Sequence, residues 1–279
     1  MPRSNYLPIL NHDIHITEWG SPNSPAVIMW HGLSRTGRDF DAIASHLSSH
    51  FYVLCPDTIG RGLSSWSTNP EQDYMVATYV AHALLILDAY GIEQCSWVGT
   101  SMGGIIGMAI ASSPLSDRFS RLVLNDIGAE IHAPALERIK YYVTQSPDFA
   151  TLTEFEDYVR RVHAPFGPHT DTQWRNLAET SYRRMDNGRI TNHFDPKVME
   201  VFANAFVSNN PMLWELYDKI TCPTLLLRGE RSDLLPESVA AAMVERGPRA
   251  QVINIPECGH APGLNTGAQI RIVEEFLLA

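Results

Sequence analysis

The chain has 279 residues, a length that suits one large domain or one domain carrying an insertion. Hydrophobic residues make up 44% and charged residues 19%, a globular balance that excludes a disordered or fibrous chain. With 21 basic against 31 acidic residues the net charge is −10, which argues against nucleic acid or an anionic membrane as the main partner.

From Met1 to Glu18 the chain mixes Asn5, His12, Asp13 and His15 with single apolar residues, so no basic start followed by an apolar run marks a signal peptide. No stretch approaches the apolar length that a membrane span needs. Cys55, Cys95, Cys222 and Cys258 are scattered without CxxC spacing, as expected of small buried hydrophobes in a reducing compartment. The expected location is the cytoplasm.

Asp13–Trp19 alternates loosely and ends in Gly20-Ser21-Pro22, which predicts an antiparallel edge strand and a turn. Short runs rich in Val, Ile and Leu follow at Ala26–Trp30, Tyr52–Cys55, Cys95–Val98, Leu122–Leu124, Thr224–Leu227 and Gln251–Ile255. Such runs, apolar on both faces, suit parallel strands covered by helices. Helical patterns at Asp39–Ser48, Asp73–Tyr90, Met102–Ser112, Pro236–Glu245 and Gln269–Leu278 alternate with them, and Gly91 is placed to cap the second. The expected fold is α/β, a mostly parallel central sheet flanked by helices. Between Gly128 and Met212 the strand rhythm stops and helical patterns stand at Ala133–Thr144, Leu152–Val162, Thr172–Arg184 and Pro196–Asn204. That stretch holds 11 of the 26 aromatic residues, so residues 128–212 are expected to form a helical cap over a core made of 1–127 and 213–279.

Ser96-Trp97-Val98-Gly99-Thr100-Ser101-Met102-Gly103-Gly104-Ile105 places Gly-x-Ser-x-Gly between an apolar strand and an apolar helix. A strand turning that sharply into a helix exposes the Ser101 hydroxyl, and Gly99 and Gly103 leave room where a Cβ would collide. A serine needs a base and an orienting acid. His260, in the Gly259-to-Pro262 loop after the last strand, is the expected base. Asp233, after the preceding strand, is the expected acid, with Glu230 and Asp126 as rivals; Asp126 is the more serious, since it follows Leu122–Leu124 at the same edge. The expected oxyanion donors are the backbone N–H groups of Met102 and of Leu33, in His31-Gly32-Leu33-Ser34, where His31 should hold the loop. Tyr141, Phe166, Trp174 and Phe206 are the expected cap residues lining the substrate pocket. His12-Asp13-Ile14-His15, on the predicted edge strand, reads as a solvated polar face and no metal site is expected.

Through His31-Gly32, Pro56-Asp57 with Gly60-Arg61-Gly62 and Ser64, Gly99-Thr100-Ser101-Met102-Gly103-Gly104, Asp233 and Gly259-His260, the chain resembles the α/β-hydrolase superfamily, in particular its small members with a helical cap. That resemblance implies hydrolysis through an acyl-serine intermediate without a cofactor, and makes Asp57 and its glycines a structural turn. Dehalogenases and epoxide hydrolases carry Asp where Ser101 stands, and the His-Gly-Gly-Pro-Gly loop of proline iminopeptidases is absent. The expectation is a carboxylesterase acting on small to medium acyl esters. Its alternatives are a C–C bond hydrolase or lactonase of the same fold, or a slow-turnover small-molecule receptor. The expected partner is a small-molecule ester, with no nucleic acid or membrane; monomer and homodimer stay open.

Overall fold

A computed structural model describes residues 1–145, 147–204 and 212–279. The strands are β1 (Arg3–Ile9), β2 (His12–Trp19), β3 (Ala26–Trp30), β4 (Tyr52–Pro56), β5 (Cys95–Thr100), β6 (Phe119–Asn125), β7 (Tyr182–Arg184), β8 (Ile190–Asn192), β9 (Thr224–Gly229) and β10 (Gln251–Ile255). The helices are α1 (Asp41–Leu47), α2 (Pro70–Asp73), α3 (Val76–Ala89), α4 (Met102–Ala111), α5 (Ala133–Val143), α6 (Leu152–Val162), α7 (Asp171–Glu179), α8 (Pro196–Phe202), α9 (Trp214–Tyr217), α10 (Glu237–Glu245) and α11 (Gly267–Leu278). An eight-stranded sheet runs β1-β2-β4-β3-β5-β6-β9-β10. It is parallel from β4 to β10, while β1 and β2 join antiparallel at one edge.

Alternation along each central strand distributes the core between two faces. Ile28, Trp30, Leu54 and Trp97 pack with α3 and α4, whereas Val27, Met29, Val53 and Val98 pack with α1 and α11. Apolar side chains therefore point both ways from one strand, which is why these runs read as continuous hydrophobic segments. Gly91, at φ +63, closes α3 as its position predicted.

Strand β1 was not apparent from its sequence, because Arg3, Ser4, Asn5 and Tyr6 are all exposed on the sheet edge. What makes it a strand is a hairpin through Leu10 and Asn11, both at positive φ, pairing Ile9 with His12 and Arg3 with Glu18. The solvated face expected around His12 and His15 is also corrected. His15 is buried, its Nδ1 2.8 Å from Asp57 and its Nε2 2.8 Å from Ser4 Oγ, and His12 lies 3.4 Å from Asp73.

The segment between β6 and β9 carries α5 to α8 and one surprise. Where a helix was expected to run to Arg184, α7 stops at Glu179 and the chain turns into the β7–β8 hairpin. Phe155, Val159, Trp174, Ala178 and Ile190 give this segment its own small core. It is fastened to the stretch between β4 and α3 by Gly62 N–H donating to His193 Nδ1 (3.0 Å), Asp195 N–H to Gly60 O (2.8 Å) and the Tyr74 hydroxyl to Asp195 (2.7 Å). Among the described residues no helix is long and apolar enough to cross a membrane.

Candidate active site

The carboxyl ends of β5 and β6 lie side by side, and each is followed by one candidate site residue. Ser101 follows β5 at φ 52, ψ −113, a backbone strain that lifts its side chain out of the sheet. Sterics explain the flanking glycines: a Cβ on Gly99 would meet Gly103 O at 2.3 Å, and one on Gly103 would meet Trp30 O at 2.0 Å. The next strand continues the ladder, with Ser101 N–H donating to Asn125 O at 3.0 Å, so Asp126 stands beside the turn.

His260 bridges the two. Its Nε2 lies 3.0 Å from Ser101 Oγ and its Nδ1 lies 2.8 Å from Asp126 Oδ2. Asp126 is fully buried and also accepts from Gly229 N–H (2.7 Å) and the Ser232 hydroxyl (2.6 Å). With Nδ1–H donating to Asp126, the Nε2 lone pair faces the serine.

Asp233, the expected acid, is not brought to His260. It is exposed and forms a two-pronged ion pair with Arg138 of α5, at 2.6 and 2.9 Å. Partial burial pushes its carboxyl up, but Arg138 outweighs this and holds it below the usual carboxylate range. The other rival, Glu230, is exposed and accepts from Glu257 N–H at 3.1 Å. Ser232, which sequence reasoning passed over, is the residue of the β9–α10 loop that turns inward. Its neighbour Asp233 therefore turns outward toward α5.

Leu33 and Met102, the expected oxyanion donors, both stand at the cleft beside Ser101. Met102 opens α4, where the first N–H groups have no partner in the helix, and Leu33 follows Gly32. Both residues line an apolar cavity together with Ser101. His31 holds the Leu33 peptide from behind: its Nδ1 donates to Gly32 O at 2.7 Å, the carbonyl of the same peptide unit. Its Nε2 accepts from Thr58 N–H at 2.9 Å. Burial keeps His31 neutral and pushes it down to about 4, despite the nearby Asp57. Asp57 accepts from Gly37 and Leu63 N–H at 2.8 and 3.0 Å, which ties the neighbouring turn together.

The cleft has two arms that meet at Ser101. The larger, about 290 Å³, is walled by Tyr79, Ile105, Ile127, Ile131, Leu136, Ile139, Val198, Val201, Phe202 and Leu234. The smaller, about 90 Å³, is lined by Ser34, Arg35, Asp39, His163, Phe166, His169 and Asn265. Within it Arg35 is paired with Asp39 at 2.6 and 2.8 Å. Burial, and then Arg35, push His163 well down.

Of the aromatic residues expected in the pocket, Phe166 does line the small arm. Tyr141 is corrected: it is 75% exposed on the outer face of α5. Trp174 is corrected as well, buried between α6 and α7 and stacked at 4.5 Å behind His169. Phe206 lies outside the described residues. The walls contributed by this segment are mainly aliphatic, from α5 and α8. Leu136 and Ile139 sit at helical spacing, a signal that finds a buried face without saying whether it meets core or cleft.

A family model described as alpha/beta hydrolase fold matches residues 25–265, and the chain belongs to that family. It is 37% identical over 273 residues to 3-hydroxybutyrate-oligomer hydrolase of Cupriavidus necator, covering 95% of this chain and 92% of that one. To 2-hydroxymuconate semialdehyde hydrolase of Pseudomonas putida it is 27% identical over 231 residues, covering 81% and 76%. A crystal structure of an alpha/beta hydrolase from Novosphingobium aromaticivorans superposes with a TM-score of 0.90 at 33% identity, over 99% of this chain and 98% of that one. The protein is thus a hydrolase of the α/β fold.

Proposed function

We propose that this hydrolase cleaves carboxylic esters of small to medium acyl chain through an acyl-serine, with Ser101, His260 and Asp126 as its triad. The observation that carries the reading is the unbroken chain from Ser101 Oγ to His260 Nε2 (3.0 Å) and from His260 Nδ1 to Asp126 (2.8 Å). His260 takes the serine proton as Oγ attacks the ester carbonyl, and Asp126 holds the imidazolium that results. The Leu33 and Met102 N–H groups receive the oxyanion, and His260 then protonates the departing alcohol. Water, activated by the same histidine, releases the acid.

Residues 128–212 act as the cap in this reading. They supply the far walls of both arms, and the apolar arm of about 290 Å³ takes the acyl chain. Oligomers of a short 3-hydroxy acid are the first natural substrate class to try, given the 37% identity to an enzyme named for them. Such oligomers are linear esters whose repeating units are short enough for this arm.

The experiment is a p-nitrophenyl ester series from acetate to long chains, run beside 3-hydroxybutyrate oligomers, on wild type and Ser101→Ala. Multiple turnover at short or medium chains that vanishes in the variant is the expected result. A folded protein silent on every ester but active on a C–C bond substrate would overturn the assignment.

A further inference from the structure

Arg61 sits in the turn after β4 and is 0% exposed, yet no carboxylate among the described residues pairs with it. Neutral groups hold its guanidinium instead. Nε donates to Leu33 O at 2.9 Å, and one terminal nitrogen donates to Ile59 O and to the Tyr79 hydroxyl, both at 2.8 Å. The other terminal nitrogen lies 3.6 Å from Met102 Sδ. The rings of Tyr74 and Tyr79 flank the group at 5.9 and 5.1 Å. Burying a cation without an anion is expensive, and a turn alone does not require it.

Two of these contacts fall on Leu33 and Met102, the residues whose N–H groups carry the oxyanion in the function proposed above, on which this inference rests. We propose that Arg61 is a positioning residue of the oxyanion hole: its fork ties Leu33 and Met102 into one rigid pair, and its unpaired charge favours the anion formed between them. The tetrahedral intermediate supplies the negative charge that the resting site lacks. The benefit therefore falls on the transition state more than on the bound ester. Lysine can substitute only in part: it keeps the charge, but a single ammonium cannot span Leu33 O and Met102 Sδ together.

The test compares wild type, Arg61→Met and Arg61→Lys on p-nitrophenyl butyrate, with active sites counted by a fluorophosphonate that labels Ser101. Affinity for a trifluoromethyl ketone, which forms a serine hemiketal bearing the oxyanion, is measured alongside. In Arg61→Met, kcat per labelled site should fall about tenfold or more with KM nearly unchanged, and ketone affinity should fall in proportion. Arg61→Lys should recover part of the loss. Unchanged kcat per labelled site would overturn the proposal, as would a loss carried by KM with ketone and ester affinities falling together. If Arg61→Met yields no folded protein, Arg61→Lys decides alone: a loss in kcat and ketone affinity supports the tether, and wild-type values refute it. Wild-type protein that turns over no ester would overturn the underlying function first, a result distinguishable from variants that keep pace with an active wild type.

Discussion

Exchanging Asp126 for Asn preserves shape but replaces one acceptor oxygen with an amide donor. In the folded protein Oδ2 receives His260 Nδ1–H at 2.8 Å and the Ser232 hydroxyl at 2.6 Å, while Oδ1 receives Gly229 N–H at 2.7 Å. The Gly229 hydrogen is fixed to the backbone, so the amide must keep its oxygen there and turn its NH2 toward His260. Nδ1 then has to accept, the ring proton moves to Nε2, and the base presents a hydrogen to Ser101 instead of a lone pair. Wrong-tautomer triads of this kind lose about 10⁴ in kcat, or about 5.5 kcal/mol of transition-state stabilisation. Asp233→Asn severs an exposed pair with Arg138, worth about 0–1 kcal/mol of stability, and should leave kcat within about threefold of wild type. The assay is kcat per labelled active site on p-nitrophenyl butyrate for both variants. The reasoning is refuted if Asp233→Asn suffers the large loss while Asp126→Asn keeps most of its activity.

Gly103→Ala would put a Cβ 2.0 Å from Trp30 O, so β3 must shift away from α4. Denaturant unfolding should show a cost of about 1–3 kcal/mol or more, and kcat should fall because the Leu33 loop follows β3. Leu136→Trp fills the apolar arm: kcat/KM for octanoate should drop well below wild type while acetate stays within about threefold, and an unchanged chain-length profile would remove this arm as the acyl site. A third expectation concerns acid. His31 and His82 are both pushed down from 6.5 to about 4, chiefly by burial, so the unfolded chain binds protons that the folded one refuses. Their contribution to stability is present above pH 6.5 and is lost as pH falls toward 4. Among the described residues neither ring nitrogen of His82 has a hydrogen-bond partner, so His82→Leu should stabilise the fold by about 1 kcal/mol or more. The same variant should flatten the pH dependence of urea midpoints between pH 6.5 and 4, and an unchanged slope would show that His82 does not take up that proton.

Much of this molecule was legible in the chain because the relevant physics is local. Ala26–Trp30 matches strand β3 residue for residue, since a buried parallel strand advertises itself by apolarity on both faces, and Gln251–Ile255 matches the edge strand β10 through its Val252, Ile253 and Ile255. Gly99 and Gly103 announced the serine turn because no other residue fits within 2.3 Å of a facing carbonyl. His31 holds its loop as its place beside Gly32 implied. Which carboxylate meets His260 was a different kind of question. Asp126 and Asp233 both follow a strand at the same sheet edge, and either loop is long enough to reach a histidine at the end of β10. Tertiary contacts made the choice: Gly229 N–H and the Ser232 hydroxyl gather around Asp126, while Arg138, carried in by α5, draws Asp233 outward. The same limit explains the rest. Strand β1 is polar and exists through its pairing with β2, the cleft walls depend on which face of α5 and α8 meets Ser101, and the partners of Arg61 come from four separated stretches of chain. Sequence records what a residue needs of its neighbours in the chain; which distant groups satisfy it is decided when the chain closes on itself.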